Sequence, residues 1–391
     1  MDPRLPLQLL GGLSAGAFMR RHWQKVPLLV RAALPQVAPP LTRQALFALA
    51  ARDDVESRLV ARRQGRWTMR RGPLPRRALP AVQAPDWTLL VQGLDLHVPA
   101  ARNLLELFRF VPDARLDDLM VSWASDGGGV GPHVDSYDVF LIQVQGRRRW
   151  RIGRATDPSF DPDLPVKILQ HFEPEQEWVL EPGDLLYLPP GWGHDGVAQG
   201  ECMTCSVGFR APAAGELAAE VLQRLAEEAV ERMEQVAAAR ALYADPSQPA
   251  TARPGQVPAR LQRFAARALA QVLAQPGAVD RALGEALTEP KPLVWFDAGG
   301  SWQPGQGVAL DARTRMLVDA RHVHVNGQSW RAGGRDAQLL AALADDRALG
   351  AAEVARLGAD ALAVVQEWVQ AGWAHAVDAP PAREGKGRGG R

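Results

Sequence analysis

Between Leu116 and Phe209 the chain is interrupted every few residues by glycine or proline, and the segments in between are short and rich in Val, Leu, Ile, Phe and Trp. A helix needs a longer uninterrupted run, whereas strands of about five or six residues fit such segments. Short strands separated by regular turn signals predict a closed or double-sheet antiparallel fold, a jelly roll of the cupin type. The rest of the 391 residues then has to be arranged around that barrel, and the length is enough for two or three domains with a sizeable core.

The barrel stretch carries a candidate metal site. His133 and Asp135 stand two apart on the way into the strand-forming run that ends at Trp150. Residues i and i+2 of an extended segment point to one face, about 6 to 7 Å apart, so both can reach one ion. A third ligand, His194, follows the turn at Glu181 to Asp184, a strand at Leu185 to Leu188 and the Pro189-Pro190-Gly191 stop. Two imidazoles and one carboxylate with open positions are the facial triad of non-haem Fe(II) oxygenases. By itself a His-x-Asp pair is weak, because many buried histidines only satisfy a hydrogen bond. Gly127 to Gly129 and Gly131 either bring the backbone close to this centre or form a mobile lid.

Alternation extends the argument. Tyr137, Val139, Leu141 and Gln143 are expected on the face of His133 and Asp135, and Gly146 is expected to turn the chain into a returning strand. There Arg148, Trp150 and Ile152 share one face, opposite Arg147, Arg149 and Arg151. An arginine between Trp and Ile on an inward face is costly without an anionic partner, and a dicarboxylate beside the metal fits a guanidinium fork. The alternative is that 147 to 151 is a solvated basic ribbon. Ser122, in the strand predicted over Asp117 to Trp123, can bond the same carboxylate. Asp118 and Met120 share its face, and an acid there can receive a cationic side chain.

The segments FMRRHWQKVPLLVR (18 to 31), WTLLVQG (87 to 93), GGGVGPHVDSYDVF (127 to 140), GRRRWRIG (146 to 153), EPGDLLYLPPGWGHDG (181 to 196) and CSVGFRAP (205 to 212) resemble the bacterial ribosomal oxygenases of the JmjC/cupin type. The resemblance implies an Fe(II)- and 2-oxoglutarate-dependent dioxygenase, with O2 as the second cosubstrate, that hydroxylates an arginine of a large-subunit ribosomal protein. It implies His133, Asp135 and His194 on iron, and Arg148 with Ser122 on 2-oxoglutarate. Asp118, Met120, Tyr137 and Ser206 are the candidates for holding the substrate side chain. The same chemistry on a histidine or lysine of another protein is one rival. A non-enzymatic metal-binding cupin regulator is another, since fold does not decide function.

The predicted architecture is α+β: a double-stranded β-helix with an N-terminal helical elaboration over 1 to 211, a helical module over 212 to 290, a winged-helix-like domain over 291 to 380 and a disordered tail over 381 to 391. Helices are expected from Ser14 to Trp23, Thr42 to Ala51 and Pro99 to Phe110, the last burying Leu104, Leu105, Leu107 and Phe108. Arg62 to Pro85, dense in arginine and proline, reads as a solvated loop. Glu216 to Leu242 and Val257 to Gln275 carry apolar stripes at helical spacing; they can pack within the chain or against a second copy, and the resemblance favours a homodimerisation module. In the last domain two strands are expected over Val308 to Val325, then helices over Asp336 to Ala344, Gly350 to Leu357 and Asp360 to Ala371, and a strand over Trp373 to Val377.

The final helix carries Asp360 and Glu367 and no basic residue, so DNA binding is not expected. His322-x-His324, with no third ligand beside it in sequence, reads as packing or surface. Net charge is +1, which argues against a general polyanion binder, and lysine stands only at 25, 167, 291 and 386, so nearly all positive charge is arginine. Cys202 and Cys205 point to opposite faces of a strand and read as reduced packing residues. No membrane-spanning run or signal sequence is recognised, and a cytoplasmic location is expected.

Overall fold

The computed structural model describes residues 2–235 and 242–378, so the expected tail over 381 to 391 and the end of the expected 216 to 242 helix lie outside the described residues. The chain divides at Ala211 into two compact units.

In the first unit the helices are α1 (Ala15–Arg21), α2 (Arg43–Leu49) and α3 (Pro99–Glu106). Ser14 and Thr42 cap the first two, each hydroxyl accepting an N–H three residues on. The strands are β1 (Leu28–Val30), β2 (Ser57–Arg63), β3 (Arg66–Arg71), β4 (Trp87–Val91), β5 (Leu116–Ala124), β6 (His133–Val134), β7 (Val139–Arg154), β8 (Gln176–Leu180), β9 (Leu185–Leu188) and β10 (Trp192–Phe209). All are in one antiparallel sheet of order β1-β9-β7-β10-β5-β4-β2-β3, with β6 on β10 and β8 on β7. The long β7 and β10 pair from Trp192 opposite Arg154 to Gly208 opposite Val139. The first half of β7 takes β9 as its other neighbour and the second half takes β8, which curls the sheet into a jelly roll.

Four expectations need correction here. Gly146 does not turn the chain: β7 runs through it, at φ +62°, as a bulge where any side chain would run into the Glu201 carbonyl. The Arg62 to Pro85 stretch is no loop throughout, because β2 and β3 form a hairpin at the sheet edge that exposes Arg62, Arg63, Arg66, Arg70 and Arg71 together with Thr68. Leu107, expected buried, is exposed, since α3 ends at Glu106. Tyr137 does not continue a strand from His133, because a bend at 136–137 separates β6 from β7.

Two apolar clusters on opposite faces show the period of two. Phe140, Ile142, Tyr187 and Val207 join Leu10, Phe18, Leu46 and Phe108 under the N-terminal helices. Val139, Leu141, Trp150, Ile152, Leu186 and Leu188 fill the barrel interior. The Phe18 ring meets Tyr187 edge-on at 4.9 Å, and burying each such ring contributes about 1.5–3 kcal/mol. Cys202 and Cys205 are buried free thiols in different clusters.

The second unit contains α4 (Ala214–Gln235), α5 (Ala259–Leu273) and α6 (Ala278–Thr288). Strands β11 (Gly307–Leu310), β12 (Met316–Val318), β13 (His322–Val325) and β14 (Gln328–Arg331) follow. After them come α7 (Gly334–Asp346), β15 (Ala348–Leu349), α8 (Ala351–Val354), α9 (Ala359–Gln370) and β16 (Ala374–Val377). They form two three-stranded sheets, β15-β11-β16 and β12-β13-β14. Three strands, not two, occupy Val308 to Val325. Leu225 of α4 packs on Ala278 and Ala282 of α6, whereas α5 buries no residue and exposes Leu261, Leu269 and Leu273.

Candidate active site

The backbone brings the three candidate ligands together at one end of the barrel. His133 lies on β6 directly opposite His194 on β10, with ring centroids 4.1 Å apart. Asp135 follows just past β6 and places Oδ2 3.7 Å from His194 Nε2. One donor atom from each residue lies within 4.8 Å of the others.

Each imidazole is oriented by the carbonyl two residues before it: His133 Nδ1 stands 2.9 Å from Gly131 O and His194 Nδ1 3.1 Å from Trp192 O. A carbonyl only accepts, so Nδ1 carries the proton in both rings and Nε2 keeps its lone pair for a metal. Burial, together with the neighbouring His133, lowers the His194 pKa to about 4, so the ring is the neutral, ligating form at physiological pH.

The glycines before His133 allow close approach rather than an open lid. A Cβ on Gly129 would sit 2.6 Å from the Gly196 carbonyl, and one on Gly196 would sit 2.6 Å from the Trp150 ring. The indole lies across Gly196, its centroid 5.9 Å from that of His194. Below the bend, Asp138 is fully buried and accepts the Tyr187 hydroxyl at 2.6 Å and Gln24 Nε2 at 3.1 Å. This anchor for the Asp135 loop was missed in the sequence, because its partners lie far away in the chain.

Arg148 is 4 % exposed. Its Nη1 donates to Ser122 Oγ at 3.0 Å, while Nε and Nη2 are buried without a partner. Four residues, about 13 Å of strand, separate it from Ile152, the cross-strand neighbour of His194. Ser122 in turn donates weakly to the Thr204 carbonyl at 3.5 Å. A buried guanidinium with two unused nitrogens costs several kcal/mol unless an anion meets it, so the residues fit a carboxylate ligand lying between Arg148 and the triad.

A second group gathers beside Gly208, which pairs with Asp118. A Cβ there would meet Asp118 Oδ1 at 3.8 Å and Tyr137 Cε2 at 3.9 Å, so both flank this gap. Met120 pairs with Ser206 across the strands. The Asp118 carboxylate is buried and accepts the Gly93 N–H at 2.7 Å and Gln92 Nε2 at 3.3 Å. Arg58, not singled out in the sequence, reaches Gln92 Oε1 at 2.9 Å and lies against Met120 Sδ at 4.0 Å. Its only sequence signal was an arginine in a β-forming run.

A family model described as JmjC domain matches residues 103–217. The ribosomal protein uL16 3-hydroxylase of Escherichia coli K12 is 43 % identical over 213 residues, 53 % of this chain and 56 % of that protein. A probable ribosomal oxygenase of Haemophilus influenzae is 39 % identical over 199 residues, 50 % of this chain and 49 % of that protein. The chain thus spans about half the length of the curated relatives it matches. The X-ray structure of E. coli YcfD superposes with a TM-score of 0.78 at 31 % identity, covering 93 % of this chain and 98 % of that one. A structure of YcfD in complex with cobalt and 2-oxoglutarate superposes with a TM-score of 0.76 at 30 % identity, over the same shares.

Proposed function

The chain belongs to the JmjC-domain ribosomal oxygenases, and from that premise we propose that it is an Fe(II)- and 2-oxoglutarate-dependent dioxygenase that hydroxylates an arginine side chain of the large-subunit ribosomal protein uL16. The observation that carries the reading is the buried Arg148 guanidinium, clamped by Ser122 and left with two unused nitrogens on the strand that pairs with the His194 strand.

When bound, ferrous iron with 2-oxoglutarate and O2 supplies the oxidising power to insert oxygen into an unactivated C–H bond. His133 and His194 would hold the iron through Nε2 and Asp135 through a carboxylate oxygen. Arg148 and Ser122 bind the distal carboxylate of 2-oxoglutarate by charge-assisted hydrogen bonds. Trp150, Ile152 and Leu188 line the interior and keep water away from the reacting carbon. Asp118 meets the cationic end of the substrate arginine while Met120, Tyr137 and Ser206 hold its aliphatic stem, so the target C–H bond is positioned by contacts remote from it.

Exposed Leu261, Leu269 and Leu273 on α5 support the expectation of a homodimer through the helical module, since an amphipathic helix needs a partner for its apolar stripe. A ribosomal substrate places the protein in the cytoplasm, and among the described residues no helix is long and apolar enough to cross a membrane.

The test is incubation of the purified chain with Fe(II), 2-oxoglutarate and uL16, followed by mass spectrometry. A gain of about 16 Da, one oxygen atom, on an arginine supports the proposal. The same gain on a histidine or lysine moves the substrate. Absence of 2-oxoglutarate consumption with any ribosomal protein returns the reading to a non-enzymatic regulator.

A further inference from the structure

The pair His322-x-His324 reads in the sequence as packing or surface for want of a third clustered ligand; both rings are buried, and the structure brings a third donor to them. Asp319 supplies the third group across the turn that joins β12 to β13. Its Oδ2 lies 3.4 Å from His322 Nδ1 and 3.0 Å from His324 Nε2. One donor atom from each of the three lies within 4.8 Å of the others. We propose that Asp319, His322 and His324 form a second metal site, which takes a divalent transition ion of the zinc type.

Four observations support it. The donor set is two imidazoles and a carboxylate, which suits zinc and its neighbours in the first row. With metal–ligand distances of about 2.0–2.1 Å, tetrahedral donors stand about 3.3 Å apart, and the carboxylate edges already have that length. The carboxylate is also pre-aimed. Asp319 Oδ1 accepts the N–H groups of Arg321 and His322 at 2.6 and 2.7 Å, which fixes the group and leaves Oδ2 facing both rings, the kind of support that orients metal ligands elsewhere.

The third observation concerns the helix above. His322 and His324 alternate with Val323 and Val325 on β13, so the valines enter the apolar core while the imidazoles face α6. The His324 ring, 1 % exposed, lies against α6 at Gly284, where a Cβ would run into Cε1, Nε2 and Cδ2 together. A helix interior pays for glycine with backbone entropy, and here the missing side chain makes the space for an imidazole. Fourth, Asp319 is exposed while both rings are buried, so an ion has a route in from solvent and a site sheltered from it. Paired hydrogen bonds explain one nitrogen of each ring, but not the convergence of two buried rings on one carboxylate oxygen at a solvent opening.

The proposal is independent of the oxygenase reading, and the experiment keeps the two apart by silencing the first centre. Full-length H133A/H194A protein is dialysed against Zn2+ and the bound metal is counted by atomic emission. The expected result is one zinc per chain, lost on adding H322Q/H324Q, whose amides retain hydrogen-bonding groups. Cobalt in place of zinc should give visible d–d absorption in H133A/H194A that H324Q abolishes. If circular dichroism shows that H324Q fails to fold, H322Q alone, at the edge of the site, carries the comparison. Equal zinc content with and without the added substitutions, or no zinc in H133A/H194A, overturns the site.

Discussion

Among the described residues, two places bring two histidines and an aspartate together, and the difference between them lies in what surrounds the donors. At His133, Asp135 and His194 the rings are turned by backbone carbonyls, and a buried arginine with unused nitrogens waits on the neighbouring strand. At Asp319, His322 and His324 the carboxylate itself orients the rings, and a helix backbone closes over one of them. The first arrangement has a further charge to satisfy and therefore room for a second molecule. At the second, the three donors are held by a turn and a helix backbone, with Asp319 facing solvent. A ligand set alone thus does not define a reaction; the unpaired groups nearby do.

The comparison breaks most visibly at the ligands. His133→Ala or Asp135→Ala should reduce 2-oxoglutarate-dependent turnover below detection in a succinate-release assay, while His324→Gln should leave it within about twofold. Turnover retained by the first pair would defeat the assignment of the centre. Next comes Arg148→Met, expected to raise the KM for 2-oxoglutarate roughly 30-fold or more, the low end of the ~2–5 kcal/mol for truncating a buried charge pair. The same variant should melt higher than wild type when no 2-oxoglutarate is present, because it removes an unmatched buried charge; a lower melting point would mean that the guanidinium is satisfied without ligand.

Asp118→Asn sharpens the substrate side. Loss of one charge-assisted contact, ~1.5–3 kcal/mol, should raise the KM for the uL16 substrate by roughly 10- to 100-fold and leave the KM for 2-oxoglutarate unchanged in steady-state assays. The smallest effect belongs to Gly284→Ala. Displacing the His324 ring should destabilise the protein by about 1–3 kcal/mol in denaturant melts and weaken zinc binding, with hydroxylation at the first centre unaffected.

Much of this was legible in the sequence wherever a residue's neighbours are set by the period of a strand. Arg148 could be placed because alternation puts it on the face of Trp150 and Ile152, while Ser122 was joined to it through a shared carboxylate and the resemblance, and the two meet at 3.0 Å. Gly146 was misread because a positive φ serves a bulge as well as a turn, and only the partner strand decides between them. The β2–β3 hairpin was hidden because its edge strand turns arginines to solvent, which is how an edge avoids pairing with another chain. Asp319 escaped notice because its place beside His322 and His324 comes from a hairpin turn that brings residue i to residues i+3 and i+5, a proximity that neither strand nor helix periodicity reports. Asp138 and its tyrosine lie 49 positions apart, and no local pattern connects them.

The carbonyls of Gly131 and Trp192 have one more effect. Many metal centres delegate the choice of imidazole tautomer to a remote acidic side chain, and a single substitution there can spoil the ligand. Here that decision belongs to main-chain atoms, which every amino acid carries, so no acidic side chain has to be kept for it; Gly131 is held instead by its backbone, at φ +82° with Ile168 where a side chain would go.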